Sequence, residues 1–190
     1  MIAYLVPRIF VAADIHKKSE IQRIQKSLIS HLNLDSKFLK LVGPENFHFT
    51  LLFFGEIDNS LLDKIVAKIS ELEFQSFEIH YGMIGAFPNN NRSKVVWIGL
   101  DEKTKEAFNQ LYHGVISKLT DLDLELEKEI EKEIIPHMTL FRTKVTLSLK
   151  FDDIESYSGI SDKIDTVSVK KSITTPQGPI YENIISVNGK

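Results

Sequence analysis

The chain of 190 residues contains no cysteine. That absence excludes a disulfide framework and every thiolate metal site, and it suits a cytoplasmic protein. Long apolar runs are missing as well. The rather apolar opening, Met1 to Ala13, has neither the basic n-region nor the small-residue cleavage site of a secretory signal. No run approaches the ~18 residues of a membrane span. A surplus of positive charge is also missing: 23 Lys and Arg stand against 26 Asp and Glu, a formal net charge of −3. Proteins that hold long nucleic acid by its phosphates carry a basic face. If nucleic acid is the substrate here, only a short stretch or an end is expected to be gripped, by a local cluster of cations.

What is present is an ordinary globular composition, 43% hydrophobic and 26% charged, enough for one domain or two small lobes sharing a core. Strand-like and helix-like segments alternate without a long linker. Ile9 to Ala13 reads as a buried strand, and Ile21, Ile24, Leu28 and Leu32 recur at helical spacing. Phe38 to Val42 reads as a short strand before the turn signal Gly43-Pro44, and Phe47 to Phe54 as a strand closed by Gly55. Ser60 with Asp63 has the form of a capping box. It would open a helix that turns Leu62, Ile65, Val66, Ile69 and Leu72 inward.

Phe77 to Ile84 and Val95 to Leu100 read as strands around the polar loop Pro88 to Lys94. Asp101 caps a third helix that buries Phe108, Leu111, Val115 and Leu119. Leu122 to Glu133 fits either a strand or an exposed helical turn. His137 to Arg142, Thr166 to Ile173 and Tyr181 to Val187 complete the strands. Several strands follow one another with no helix between, so antiparallel pairing and the α+β class are expected.

One internal echo carries the chemistry. Asn46-Phe47-His48-Phe49-Thr50-Leu51 is answered by Ile135-Pro136-His137-Met138-Thr139-Leu140, almost half a chain length later. Two lobes related by a pseudo-two-fold, with one motif on a strand of each, explain that spacing. Residues i and i+2 of a strand leave the same face. His48 and Thr50 therefore point one way while Phe49 and Leu51 point the other, and His137 and Thr139 are opposed to Met138 and Leu140. If the two strands line opposite walls of a cleft, two imidazoles and two hydroxyls converge, a kit for phosphoryl chemistry. One neutral imidazole takes a proton from water and one imidazolium returns a proton to the departing oxygen. The threonine hydroxyls donate to phosphate oxygens, and Arg142 adds a bidentate cation. A histidine pair can also bind a metal, but neither motif has a third ligand beside it. His16, His31, His80 and His113 stand alone and read as structural or solvated.

At these residues the sequence resembles the 2H phosphoesterase superfamily, and within it the RNA 2′,3′-cyclic phosphodiesterases, also known as 2′-5′ RNA ligases. The stretch Glu45 to Glu56 is similar to the first signature almost position by position, and Pro136 to Arg142 to the second. Further likeness lies in Arg8 to Ala12, in Gly85-Ala86-Phe87-Pro88 with Val95 to Gly99, and in Thr175 to Glu182. The resemblance implies two pseudo-symmetric α+β lobes, each an antiparallel sheet with helices, around a central cleft carrying one His-x-Thr motif per lobe, the whole of 1–190 forming one domain. It implies hydrolysis of RNA 2′,3′-cyclic phosphate ends to 2′-phosphate ends with no metal and no cofactor, with 2′-5′ ligation as the reverse reaction. Its partners would be RNA ends or nucleotides bearing a cyclic phosphate, with no membrane and no obligate protein partner.

By position, His48 and His137 would be acid and base, with His48 protonating the leaving 3′ oxygen and His137 activating water. Thr50, Thr139 and Arg142 would hold the phosphate. The sequence departs from the family pattern at Leu52, often basic, at Phe141, often small, and in the run Glu131 to Ile135. Arg92 and Lys94 are either part of the grip on RNA or two solvated loop cations. Two other functions fit the same motifs: a cyclic phosphodiesterase acting on a small nucleotide, and a module that binds RNA or nucleotide without turnover.

Overall fold

The computed structural model describes residues 7–122, 124, 126, 134–151, 159–175 and 178–190. Among them are three α-helices and two antiparallel sheets, an α+β arrangement. The first sheet is built on β1 (Arg8–Asp14), the buried run near the start of the chain. It is flanked by β3 (His48–Glu56) on one side and by β8 (Thr166–Thr175) and then β9 (Gly178–Asn188) on the other. The second sheet has the order β2 (Leu39–Leu41), β6 (His137–Leu147), β5 (Ser93–Leu100), β4 (Phe77–Phe87) and β7 (Ser161–Ile164). The two histidine motifs thus begin strands of different sheets, and those strands, β3 and β6, lie against each other.

The helices follow from their apolar stripes. In α1 (Lys18–His31), Ile21, Ile24 and Leu28 are buried at spacings of three and four. In α2 (Asn59–Ser70), Ile65 and Ile69 are buried, with Leu62 and Val66 packed partly against the core. The cap of α2 differs from the expected Ser60–Asp63 box. Asp58 is the N-cap and accepts from the Leu61 N–H at 2.8 Å, so the helix starts one residue before Ser60. The sequence Asp58-Asn59-Ser60 offers three good capping side chains in a row, and only one of them sits where the backbone is still extended. For α3 (Glu102–Leu119), Asp101 is the cap, accepting from the Thr104 N–H at 2.9 Å, and Phe108, Leu111, Val115 and Leu119 are buried.

Two further differences concern strands. β6 runs five residues beyond Arg142, to Leu147, and the short β7 has no counterpart in the sequence reading. β7 is anchored by Asp162, a buried carboxylate that accepts from the backbone N–H groups of His16 and Lys17 and, at 3.0 Å, from the Tyr81 hydroxyl. Of Leu122 to Glu133, only residues 122, 124 and 126 are described, with Leu126 buried; the rest lies outside the described residues, as do Pro176 and Gln177.

Each histidine-bearing strand carries a β-bulge at the same place in its motif. Val11 and Ala12 of β1 oppose Leu52 and Thr50, which leaves Leu51 as the extra residue of β3. Val96 and Trp97 of β5 oppose Phe141 and Thr139, which leaves Leu140 as the extra residue of β6. A bulge shifts the alternation of faces by one. Leu51 and Leu52 are therefore both buried, as are Leu140 and Phe141.

Candidate active site

A cavity of about 600 Å³ opens between the sheets. His48 and Thr50 reach it from β3, and His137, Thr139 and Arg142 from β6. All five residues singled out in the sequence meet there. Arg142 owes its place to the Leu140 bulge. In an unbroken strand a residue three positions after Thr139 would point away from it, and the extra residue returns Arg142 to the cavity face. The loop cations Arg92 and Lys94 do not line this cavity.

The two imidazoles are held in the same way. Nδ1 of His48 donates to the Asn46 carbonyl at 2.7 Å, and Nδ1 of His137 to the Ile135 carbonyl at 2.8 Å. A carbonyl oxygen can only accept, so Nδ1 carries the proton and Nε2 is the reactive nitrogen of each neutral ring. Nε2 of His48 lies 3.1 Å from the Thr50 hydroxyl.

Each ring is also enclosed by two aromatic side chains. Phe10 and Tyr181 stand 5.0 and 5.2 Å from His48, centroid to centroid. Phe87 and Trp97 stand 4.9 and 6.0 Å from His137. The Trp97 indole is seated on Gly85, where a Cβ would overlap its ring. Any side chain at that position displaces one wall of the His137 enclosure.

Burial pushes the His48 imidazole down to about 4, with the positive charge of Lys170 acting in the same direction and the Asn46 carbonyl and Asp14 opposing them. Lys170 and Asp14 form a largely buried ion pair at 2.7 Å beside it. Lys170 also donates to Asn183, and Ser168 to Asp14. Burial raises the Tyr181 phenol, and the cations Arg142 and Arg8 pull it the other way. Among the described residues, no group of three or more His, Asp and Glu is placed to hold a metal ion, and no helix is long and apolar enough to cross a membrane.

Residues 16–97 match the LigT-like phosphoesterase family. The chain is 35% identical over 180 residues to the RNA 2′,3′-cyclic phosphodiesterase of Archaeoglobus fulgidus, covering 93% of this chain and 97% of that one. It is 34% identical over 188 residues to the RNA 2′,3′-cyclic phosphodiesterase of Methanocaldococcus jannaschii, covering 93% and 98%. The chain belongs to the RNA 2′,3′-cyclic phosphodiesterase family, within the LigT-like 2H phosphoesterases. Its fold is shared by the crystal structure of TT0787 of Thermus thermophilus, with a TM-score of 0.73, 21% identity and coverage of 95% and 97%. It is also shared by that of E. coli LigT complexed with 3′-AMP, with a TM-score of 0.69, 18% identity and coverage of 97% and 98%.

Within this family member, several cavity and supporting residues escape a motif-based reading. Gln25 is a buried polar residue on the apolar side of α1, and its amide donates to the carbonyls of Val42 and Leu140 at 2.9 and 2.6 Å. It pins the end of β2 to the bulge that turns Arg142. A glutamine inside an otherwise apolar helical stripe was the available signal. Lys40 and the hairpin residues Pro179 and Ile180 also line the cavity. Nothing local in the sequence marks them, because they arrive from strands far away in the chain. The other histidines lie away from the cavity: His16 pairs with Asp165 at 2.8 Å, and His80 with Glu78 at 3.3 Å.

Proposed function

We propose that this protein hydrolyses the 2′,3′-cyclic phosphate at the end of an RNA strand, leaving a 2′-phosphate, by acid–base catalysis between His48 and His137 without a metal. The observation that carries this reading is the convergence of two His-x-Thr strands from separate sheets on one cavity. Family membership across 93% of the chain supports the substrate class. In this reading 1–190 is a single two-lobed domain whose pseudo-symmetric sheets each present one motif to a central cleft, and the cysteine-free chain works in a reducing cytoplasm.

The chemistry follows from the rings. Water attacks phosphorus as the P–O3′ bond breaks. Nε2 of one histidine takes the proton of the water, and Nε2 of the other returns a proton to O3′. Thr50, Thr139 and Arg142 donate to the non-bridging oxygens, where negative charge grows. Burial keeps His48 neutral near pH 7, the form that accepts a proton, which favours His48 as the base and His137 as the acid over the opposite division implied by the family resemblance. With the 5′-hydroxyl of a second strand attacking in place of water, the same steps form a 2′-5′ bond, the ligation. A cavity of about 600 Å³ is large enough to take a whole mononucleotide, which favours a second reading as a cyclic phosphodiesterase of small nucleotides.

Incubating the wild type, His48→Ala and His137→Ala with a short cyclic-phosphate-ended RNA, and separately with a free nucleoside 2′,3′-cyclic phosphate, in excess EDTA tests both readings. The expected product is a 2′-phosphate, with each variant slowed at least about 100-fold. Activity on a free nucleoside cyclic phosphate but none on RNA would select the second reading. Full activity in either variant would remove the two-histidine mechanism.

A further inference from the structure

Two cations stand side by side on the cavity wall. Lys40 of β2 and Arg142 of β6 are direct partners in the antiparallel ladder, so their side chains leave the same face, and both line the cavity. Like charges directly opposite in a ladder are destabilising. Among the described residues, neither side chain has an ion pair or a hydrogen bond. Carboxylates are not scarce, at 26 acidic side chains against 23 basic. Other lysines of the chain take them: Lys37 pairs with Asp35, Lys170 with Asp14 and Lys171 with Glu182. Glu45, the acidic side chain among the described lining residues, is folded over Gly43, its carboxylate filling the space a Cβ there would need.

The two cations stand on neighbouring strands. Arg142 shares its strand face with His137 and Thr139, where the reacting phosphate sits in the proposed function. Lys40 is one strand further out, on the edge strand β2, and its Cε is 3.6 Å from where a Cβ on Gly178 would be. It therefore lies against the β8–β9 hairpin, in the cavity that the exposed apolar side chains of Leu41 and Ile180 also line. Lys40 is thus a cavity cation one strand away from Arg142 and beside the β8–β9 hairpin.

We propose that Lys40 binds a second phosphate of the substrate, the 5′ phosphate of the terminal nucleotide, while Arg142 holds the cyclic phosphate that reacts. The inference rests on the RNA-end reading and deepens it. The site then selects a nucleotide that continues on its 5′ side over a bare nucleoside cyclic phosphate.

The test compares adenosine 2′,3′-cyclic phosphate with the same compound carrying a 5′-phosphate, using the wild type, Lys40→Met and Lys40→Arg. The wild type is expected to prefer the 5′-phosphorylated compound by about ten-fold in kcat/KM, through KM, as one hydrogen bond to a charged group supplies. Lys40→Met reduces that preference below about two-fold, and Lys40→Arg keeps it. The rise of KM with salt for the phosphorylated compound is shallower in Lys40→Met than in the wild type, because one charge contact is lost and salt screens those that remain. A wild type that turns over both compounds with equal kcat/KM, or a Lys40→Met preference equal to that of the wild type, would overturn the assignment and leave the RNA-end reading standing. A wild type that hydrolyses neither these compounds nor a cyclic-phosphate-ended RNA would overturn both.

Discussion

His48 and His137 have the same local hydrogen bond and the same kind of aromatic enclosure, and burial holds the His48 imidazole at about 4. This makes two pH predictions at the scale of one residue. The acid limb of kcat/KM reports the base of the free enzyme. With His48 as that base, the limb falls near pH 4 and not near 6.5. The second prediction concerns stability. The folded state resists protonating His48, whereas the unfolded chain takes up that proton at about 6.5. The native state is therefore not penalised above pH 6.5 and loses stability as pH falls from there through 4. A shift from 6.5 to about 4 corresponds to about 3 kcal/mol. Urea unfolding of the wild type and His48→Gln at pH 7 and pH 4 should show the wild type losing about that much more than the variant. Equal losses would mean that His48 takes up its proton as readily in the fold as in the unfolded chain. The motif itself was legible in the sequence, because two His-x-Thr-Leu runs are a local pattern. Its electrostatics were not, because Phe10, Lys170 and Tyr181 reach His48 from β1, β8 and β9.

At the scale of elements, the strands around the site are irregular where it matters. Alternation opposes His48 and Thr50 to Phe49 and Leu51; Arg142 is expected at the phosphate from its place in the motif, and strict alternation alone does not bring it to that face. The bulges at Leu51 and Leu140 that change this are set by pairing with β1 and β5. Gln25 bonds across to the second of them. Gln25→Ala leaves the Val42 carbonyl without its side-chain donor, at a cost of about 1–3 kcal/mol for an unsatisfied buried group. It also frees the register that aligns Lys40 with Arg142. The expected outcome is a lower urea midpoint together with a raised KM for RNA ends. An unchanged KM at reduced stability would confine Gln25 to packing. The same dependence on pairing explains why β7 and the far half of β6 escaped the sequence reading. Ser161–Ile164 is only four residues long and is a strand because β4 lies beside it. The helices, whose stripes are local, were readable apart from the cap at Asp58.

For the whole molecule, the α+β class could be read from consecutive strands, but the sheet orders could not. β1 pairs with β8 across most of the chain, and β2 reaches β6. The pairing of β2 with β6 is what brings Lys40 and Arg142 of a formally acidic chain to one cavity. A net charge of −3 gives the chain as a whole no attraction for a long polyanion, so contacts beyond the terminal nucleotides are expected to add little binding. Lys40 and Arg142 then define how far the substrate is felt. The expected length dependence is a rise in kcat/KM from a nucleoside cyclic phosphate to a dinucleotide ending in one, followed by less than about two-fold further change up to roughly a 20-mer at physiological salt. Steady-state kinetics on a series of synthetic RNAs of increasing length measures this directly. A continued rise with every added nucleotide would require a basic track outside the cavity, and the place to seek it by substitution would be the exposed cations Arg92 and Lys94.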